Sequence, residues 1–436
     1  MYPNDFSKKE GAIDASKAEA ITAQAHGIAL YAAVVGEKRR LFCQVCCIFA
    51  DLRKRVSFLK DFCYNEPTEL DTRVNCGCSA QNVFLLMNDG FNKRIERRNY
   101  VKLLTVTIPC YNSQDYMEKC IKSLLAGGIR VQIVIIDDGS KDETGAIADR
   151  YAAEYPGIVT AVHQPNGGHG AGINQGLKHA EGKYFKVVDS DDWVSGDFPR
   201  FLDTLEQCEK NGGMDLFVTN YHYEHADGKG DRSICYANAL PQGKIFTWEQ
   251  TKHFRVHQLL TIHSCTFRTE LLRCSTKPLP EHVFYEDNLM VYQALPHVKK
   301  LYYLNADLYR YYIGREGQSV QRDVMMKRYS HQLIVTRRCF EAAHLDEIAE
   351  KKQQNYLKHE LFIMFGISIL FTRLNKTREA DEDLKGLWED CRKFDKKWAA
   401  RYRNGSTLSL LCLPGQFGRG VVEVFYALAH KVVRFN

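Results

Sequence analysis

Two short apolar runs in this chain each end in a cluster of carboxylates, and no other feature restricts the fold as much. Val131–Ile136 leads into Asp137-Asp138-Gly139-Ser140, and Tyr184–Val188 leads into Asp189-Ser190-Asp191-Asp192. Short, β-branched-rich runs of this kind form strands buried on both faces, as in a parallel sheet covered by helices. The carboxyl edge of such a sheet is where α/β folds bind ligands. Carboxylates crowded there repel one another, so folding alone disfavours them. A bound cation or a polyhydroxyl ligand would relieve that cost.

The surrounding pattern extends the same architecture. From Lys102 the periodicity predicts strands over Leu103–Ile108, Val131–Ile136, Ile158–His163 and Tyr184–Val188. Helices are predicted over Asp115–Leu125, Asp142–Glu154 and Gly170–Ala180. Such alternation means βαβ units and a mostly parallel sheet. Asp215–Thr219 reads as a further strand, after which the alternation breaks, as expected where an acceptor-side region is inserted. From about Asp323 the chain reads as charged helices.

With 436 residues the chain can bury a large core. A net charge of +6 and no basic stripe with interleaved aromatics argue against a nucleic-acid partner. The fifteen cysteines have no framework spacing, and Met1–Glu19 lacks the apolar core of a secretory signal. Reduced thiols and a cytoplasmic location are therefore expected. The longest apolar run, Leu361–Phe371, is too short to span a bilayer and reads as a buried helix. The last stretch, Gly420–Phe435, places Val421, Val424, Phe425, Leu428, Val432 and Phe435 on one face flanked by Arg419, Lys431 and Arg434. A basic amphipathic helix of that kind either touches a membrane interface peripherally or docks on the protein's own core. Residues 1–100 form a poorly defined N-terminal extension. Cys43-x-x-Cys46-Cys47 and Cys76-x-Cys78 lack the spacing and the histidine of a zinc site. A start at Met87 would account for the missing pattern upstream.

Three segments taken together point to a family. Thr105-Val106-Thr107-Ile108-Pro109-Cys110-Tyr111-Asn112, then Asp137-Asp138-Gly139-Ser140-x-Asp142-x-Thr144, then Asp189-Ser190-Asp191-Asp192 resemble the family 2 glycosyltransferases. The resemblance covers roughly Leu103–Arg322. It implies a GT-A (Rossmann-like) nucleotide-sugar-binding domain over 101–322, with a helical C-terminal region over 323–436.

The resemblance implies a role for each motif residue, and the chemistry agrees. Pro109, Tyr111 and Asn112 lie at the sheet's carboxyl edge, where an aromatic ring stacks on a base and an amide bonds ribose or base edges. Asp138 would accept from a base N–H or a ribose hydroxyl. A turn tyrosine and a capping aspartate are the structural alternatives, and Asp142 reads as such a cap. Asp189-x-Asp191 resembles the family's metal motif, with Asp189 at the donor and Asp191 as the direct ligand of Mg²⁺ or Mn²⁺. Asp192 is the alternative ligand. Asn174 would contact the donor, although Ile173 stands where many members carry Arg. Phe284-Tyr285-Glu286-Asp287 resembles the motif that supplies the general base, with Asp287 as base and Glu286 beside the substrate. Arg322 is read as an exposed side chain.

The run Asn166-Gly167-Gly168-His169-Gly170-Ala171-Gly172 is no dinucleotide fingerprint, because Gln175 stands where the third glycine would be needed. Its glycines are expected to let backbone N–H groups approach a ligand. The sequence thus predicts an inverting transferase that moves a sugar from a nucleotide-sugar donor, UDP-linked by resemblance, to a glycan or lipid-linked acceptor. The Gln-x-x-Arg-Trp motif of processive synthases is absent, which favours one sugar per encounter. Two other readings stay open, a non-catalytic nucleotide-sugar binder and a sugar nucleotidyltransferase. The latter's glycine-rich loop is missing after the first strand.

Overall fold

The computed structural model describes residues 101–427, apart from 227, 229, 257, 315–321, 343, 406, 414–417 and 425. The N-terminal extension with its Cys43, Cys46, Cys47, Cys76 and Cys78 lies outside them. So does the part of the expected terminal helix from Leu428 onward.

One ten-stranded sheet organises the chain, in the order β3-β2-β1-β4-β9-β6-β10-β5, with β7 on β6 and β8 on β10. The strands are β1 (Leu104–Cys110), β2 (Val131–Asp137), β3 (Val159–His163), β4 (Tyr184–Val187), β5 (Trp193–Val194), β6 (Leu216–His225), β7 (Arg232–Ile234), β8 (Ile245–Phe246), β9 (Cys265–Arg268) and β10 (Leu301–Ile313). The block β3-β2-β1-β4 is parallel throughout, as the alternation predicts. Antiparallel β9 then joins it to the parallel pair β6/β10. The order reverses between β1 and β4, and such a switch point opens a crevice at the carboxyl ends of the strands.

β1 runs two residues further than predicted. Pro109 lacks an N–H, but the ladder between β1 and β4 has already ended at Thr107/Val187, so no bond is lost there. Helices α1 (Met117–Leu125), α2 (Thr144–Glu154) and α3 (His169–His179) cover the parallel block. α1 buries Met117, Cys120, Ile121 and Leu124, a single helical stripe. α2 begins at Thr144, two residues later than the pattern suggests; Asp142, read from sequence as the cap, accepts from the Thr144 N–H at 3.0 Å from one position ahead of the N-cap Glu143. α3 lies against β1 at two glycines: a Cβ on Gly172 would stand 2.9 Å from Pro109, and one on Gly176 only 2.0 Å from the Thr107 hydroxyl. Gly176→Ala should therefore destabilise the protein by about 1–3 kcal/mol. A thermal melt indistinguishable from the parent would refute that account of the helix–strand contact.

The helices after β4 are α4 (Phe198–Lys210), α5 (Thr269–Ser275), α6 (Glu286–Ala294), α7 (Arg322–Lys327), α8 (Tyr329–Ala342), α9 (Lys351–Leu374), α10 (Arg378–Phe394) and α11 (Lys396–Gly405). The apolar run at 361–371 lies inside α9, where Leu361, Phe365 and Ile369 are buried. α9 is tied to the sheet domain: Gln353 donates to the Leu295 and Val298 carbonyls, and the Tyr356 hydroxyl accepts from the Leu260 N–H. Among the described residues no helix is long and apolar enough to cross a membrane. Near the terminus, Val422 is buried, Tyr426 packs half-buried against the core and Val424 is exposed. That is a correction to the face assigned from sequence, which grouped Val421 with Val424; contact with Phe371 turns the Tyr426 side inward instead.

Candidate active site

Hydrogen bonds lace the motif loops together at the carboxyl edge of the parallel block. The Asn112 N–H donates to the Ser140 hydroxyl, and the Asn112 side-chain oxygen accepts from the Lys141 N–H. Ser113 and Ser190 hydroxyls meet at 2.9 Å, which joins the loop after β1 to the acidic loop after β4. Tyr111 presents its ring on this edge with 50% of its surface exposed. Pro109 offers no side chain to a ligand, a correction to its predicted role, because it is buried beneath α3 at Gly172.

Asp138 is also engaged differently than its sequence position suggests. It is buried, and its carboxylate accepts from the Gln164 amide and from the N–H groups of Gly167 and Gly168 at 2.6, 2.9 and 2.7 Å. Three of a carboxylate's roughly four acceptor positions are thus filled by the glycine loop, leaving little for a nucleoside. The glycines likewise serve chain packing. The Gly167 carbonyl accepts from the His282 N–H, and a Cβ on Gly170 would press on Glu286 and the Pro280 carbonyl. Asn174 clamps the same segment: its amide pairs with both the N–H and the carbonyl of Leu279. It therefore holds the chain leading to Glu286 and Asp287, whereas the sequence assigned it to the donor.

His169, at the first turn of α3, bridges the two acidic motifs. Its Nε2 lies 3.0 Å from Asp189 and its Nδ1 2.7 Å from Glu286. Burial alone would lower the imidazole pKa, but the hydrogen bonds to the two carboxylates outweigh it and hold the ring well above its ordinary value. Glu286, expected from sequence beside the substrate, is buried behind this imidazole. Asp287, one residue on, is half-buried in the first turn of α6 and accepts from the Asn288 amide at 3.0 Å. Burial, then the charge of Glu286, pushes its carboxyl up to about 7. A carboxylate poised near neutrality suits a general base. The C-terminal helices support this segment, since His331 of α8 accepts from the Phe284 N–H and Arg328 stacks on the Phe284 ring.

The acidic loop is framed by Tyr309 of β10. Its hydroxyl donates to Asp192 at 2.6 Å and accepts from the Asp189 N–H, while the Tyr312 N–H reaches the other Asp192 oxygen. Ligand atoms of Asp189, Asp192 and His263 all lie within 4.8 Å of one another. Asp191, predicted as the direct ligand, is half-buried on the same turn but is not part of that convergent group. Burial and the charges of Asp191 and Asp189 hold the Asp192 carboxyl well above its usual range, while His169 keeps Asp189 below it. A divalent cation would supply the missing positive charge, so the donor set fits one.

Backbone strain marks the same place. Asn112, His282 and Tyr285 have φ of 49°, 54° and 69°, left-handed values that cost non-glycine residues energy and cluster at functional sites. Sequence reasoning missed His169, His263 and Tyr309 as site residues. His169 was hidden inside a glycine run, and the other two lie far from the acidic motifs in sequence.

The chain is similar to known proteins in sequence and in fold. Residues 105–269 match glycosyl transferase family 2. EpsH of Bacillus subtilis strain 168, provisionally named a glycosyltransferase, is 28% identical over 312 residues, covering 66% of this chain and 83% of EpsH. The minor teichoic acid biosynthesis protein GgaB of the same strain is 26% identical over 238 residues, covering 53% of this chain but only 25% of GgaB. Among solved structures, S. aureus TarS 1-349 in complex with UDP-GlcNAc has a TM-score of 0.54 at 18% identity, covering 74% of this chain and 92% of that one. That is a likeness of fold.

Proposed function

From the match of residues 105–269 to glycosyl transferase family 2, we propose that this chain is a family 2 glycosyltransferase that transfers a sugar from a nucleotide-sugar donor to an acceptor hydroxyl with inversion of the anomeric centre. The observation that supports this reading is the bridge Asp189–His169–Glu286, which ties the acidic loop to the segment that carries Asp287. The donor lies across the carboxyl ends of β1, β2 and β4, with its base against the Tyr111 ring. Asp287 takes the proton of the acceptor hydroxyl. The freed oxygen forms the new bond to the anomeric carbon, and the bond to the diphosphate breaks with its electrons leaving on the nucleoside diphosphate. Asp189 and Asp192 would hold a divalent cation, Mg²⁺ or Mn²⁺, whose charge would neutralise that developing on the diphosphate.

The transferase domain in this reading is 101–322, and 323–436 is the C-terminal region, whose described helices pack on it. A UDP-linked donor is in keeping with the UDP-GlcNAc in the TarS structure. A glycan or lipid-linked acceptor of the cell envelope is in keeping with the teichoic acid role in the name of GgaB. The enzyme would then work in the cytoplasm, in peripheral contact with the membrane.

Incubation with a panel of nucleotide sugars and Mn²⁺ tests the proposal. Release of free nucleoside diphosphate, and an inverted anomeric proton coupling in the product, are expected. Nucleoside triphosphate formed from added pyrophosphate would point to a nucleotidyltransferase, and no release from any donor to a mere binder. Tyr111→Ala should weaken nucleotide binding by about 1–3 kcal/mol, the worth of one stacked base. Tyr111→Phe should spare it. Equal dissociation constants for the Ala variant and the parent in calorimetry would remove Tyr111 from the base site.

A further inference from the structure

His263 lies outside every motif legible in the sequence, yet it is built into the acidic loop from three sides. It is 8% exposed, and its Nδ1 is buried with no hydrogen-bond partner among the described residues. An unpaired buried ring nitrogen costs free energy in the folded protein and calls for an explanation. Its ring is held against Tyr309 and Tyr311, with centroids 4.6 and 4.4 Å away. Its backbone carbonyl accepts from the buried Lys186 ammonium at 2.9 Å. The Tyr309 hydroxyl donates to the Asp192 carboxylate and accepts from the Asp189 backbone N–H, so one side chain ties the imidazole, the Asp192 carboxylate and the backbone of Asp189 to one another. This is the pre-organisation a metal ligand set needs and a solvated acidic turn lacks.

We propose that His263 is a nitrogen ligand to the cation of the donor site, completing a set with Asp189 and Asp192 in which Asp191 is not required. The inference rests on the cation-dependent reading above. It adds a consequence that carboxylates alone would not give. An imidazole nitrogen favours a transition metal over Mg²⁺, because Mg²⁺ takes oxygen ligands and N-ligand affinity rises along the first row. The site should therefore prefer Mn²⁺ to Mg²⁺.

Pulsed electron paramagnetic resonance of Mn²⁺ bound to the untagged full chain with UDP tests this without any turnover. The expected result is a ¹⁴N coupling on Mn²⁺ in the parent that disappears in His263→Gln. The Mn²⁺ dissociation constant should rise on the order of 10–100-fold in the same variant. Asp191→Asn should keep the coupling. The melting temperature in EDTA shows whether His263→Gln still folds. If it does not, His263→Asn and the parent's own spectrum carry the test. Tight Mn²⁺ binding with no ¹⁴N coupling, or a coupling that survives loss of His263 and so comes from His169, overturns the inference and leaves the cation reading intact. Failure of the parent to bind Mn²⁺ in the presence of UDP overturns both.

Discussion

Replacing Asp287 with Asn should lower sugar transfer by roughly 10²–10⁴-fold while leaving nucleotide affinity near that of the parent. The amide keeps the shape of the side chain and its contact with Asn288 but cannot take a proton from the acceptor. The pH profile follows from the same group. Burial and the neighbouring Glu286 charge raise its carboxyl to about 7, so it is protonated and inactive as a base below that pH and ionised above it. Transfer should rise with pH and reach half its plateau near 7, with no such limb in the Asn variant. The stability sign is the reverse. A carboxyl whose folded value lies above its unfolded value of about 3.9 costs stability once the pH exceeds the unfolded value, and the cost stops growing above the folded one. Asp287→Asn should therefore be at least as stable as the parent at pH 8, as expected where a site is kept reactive at the expense of stability. A variant with near-parental turnover, or a profile flat from pH 5 to 9, would remove Asp287 from the role of base.

The largest effect on stability is expected at His169. His169→Leu leaves Glu286 buried without the imidazole that pairs with it and removes the partner of Asp189. Removing one partner of a buried pair costs about 3–5 kcal/mol, because the remaining charge is left without compensation. For a folded unit of this size that corresponds to a fall of roughly 10 °C in melting temperature. The measurement belongs in EDTA at neutral pH, so that a cation does not mask the loss. The double variant His169→Leu/Glu286→Met should recover much of it, since replacing both members of a buried pair by apolar groups removes the uncompensated charge. If the single variant melts within about 1 °C of the parent, the bridge contributes nothing to stability. A double variant no better than the single would mean that His169 acts through contacts other than Glu286.

Much of the fold was legible because it depends on local patterning. The runs at Val131–Ile136 and Tyr184–Val188 fell on β2 and β4 because β-branched residues buried on both faces have few alternatives to a covered parallel strand. The errors were at ends, where the deciding partner is distant. β6 runs on to His225 because β10 pairs with it over that length, and no residue near Thr219 announces a strand in another part of the chain.

The sequence by itself determined the class of sheet and the carboxyl-edge position of the acidic loops, and it singled out Asp287, Asp189, Asp191 and Asp192 as candidate base and ligands. Each depends on residue type and short-range spacing. Only the tertiary structure decided what those groups touch. It gave Asp138 to the glycine loop, Asn174 to Leu279 and Glu286 to His169, and it brought His263 and Tyr309 to the acidic loop from far along the chain. The physical reason is that a carboxylate or an amide bonds whichever donor packing brings within about 3 Å. At a switch point where several loops converge, that donor is set by the long-range register of the sheet, which no local pattern encodes.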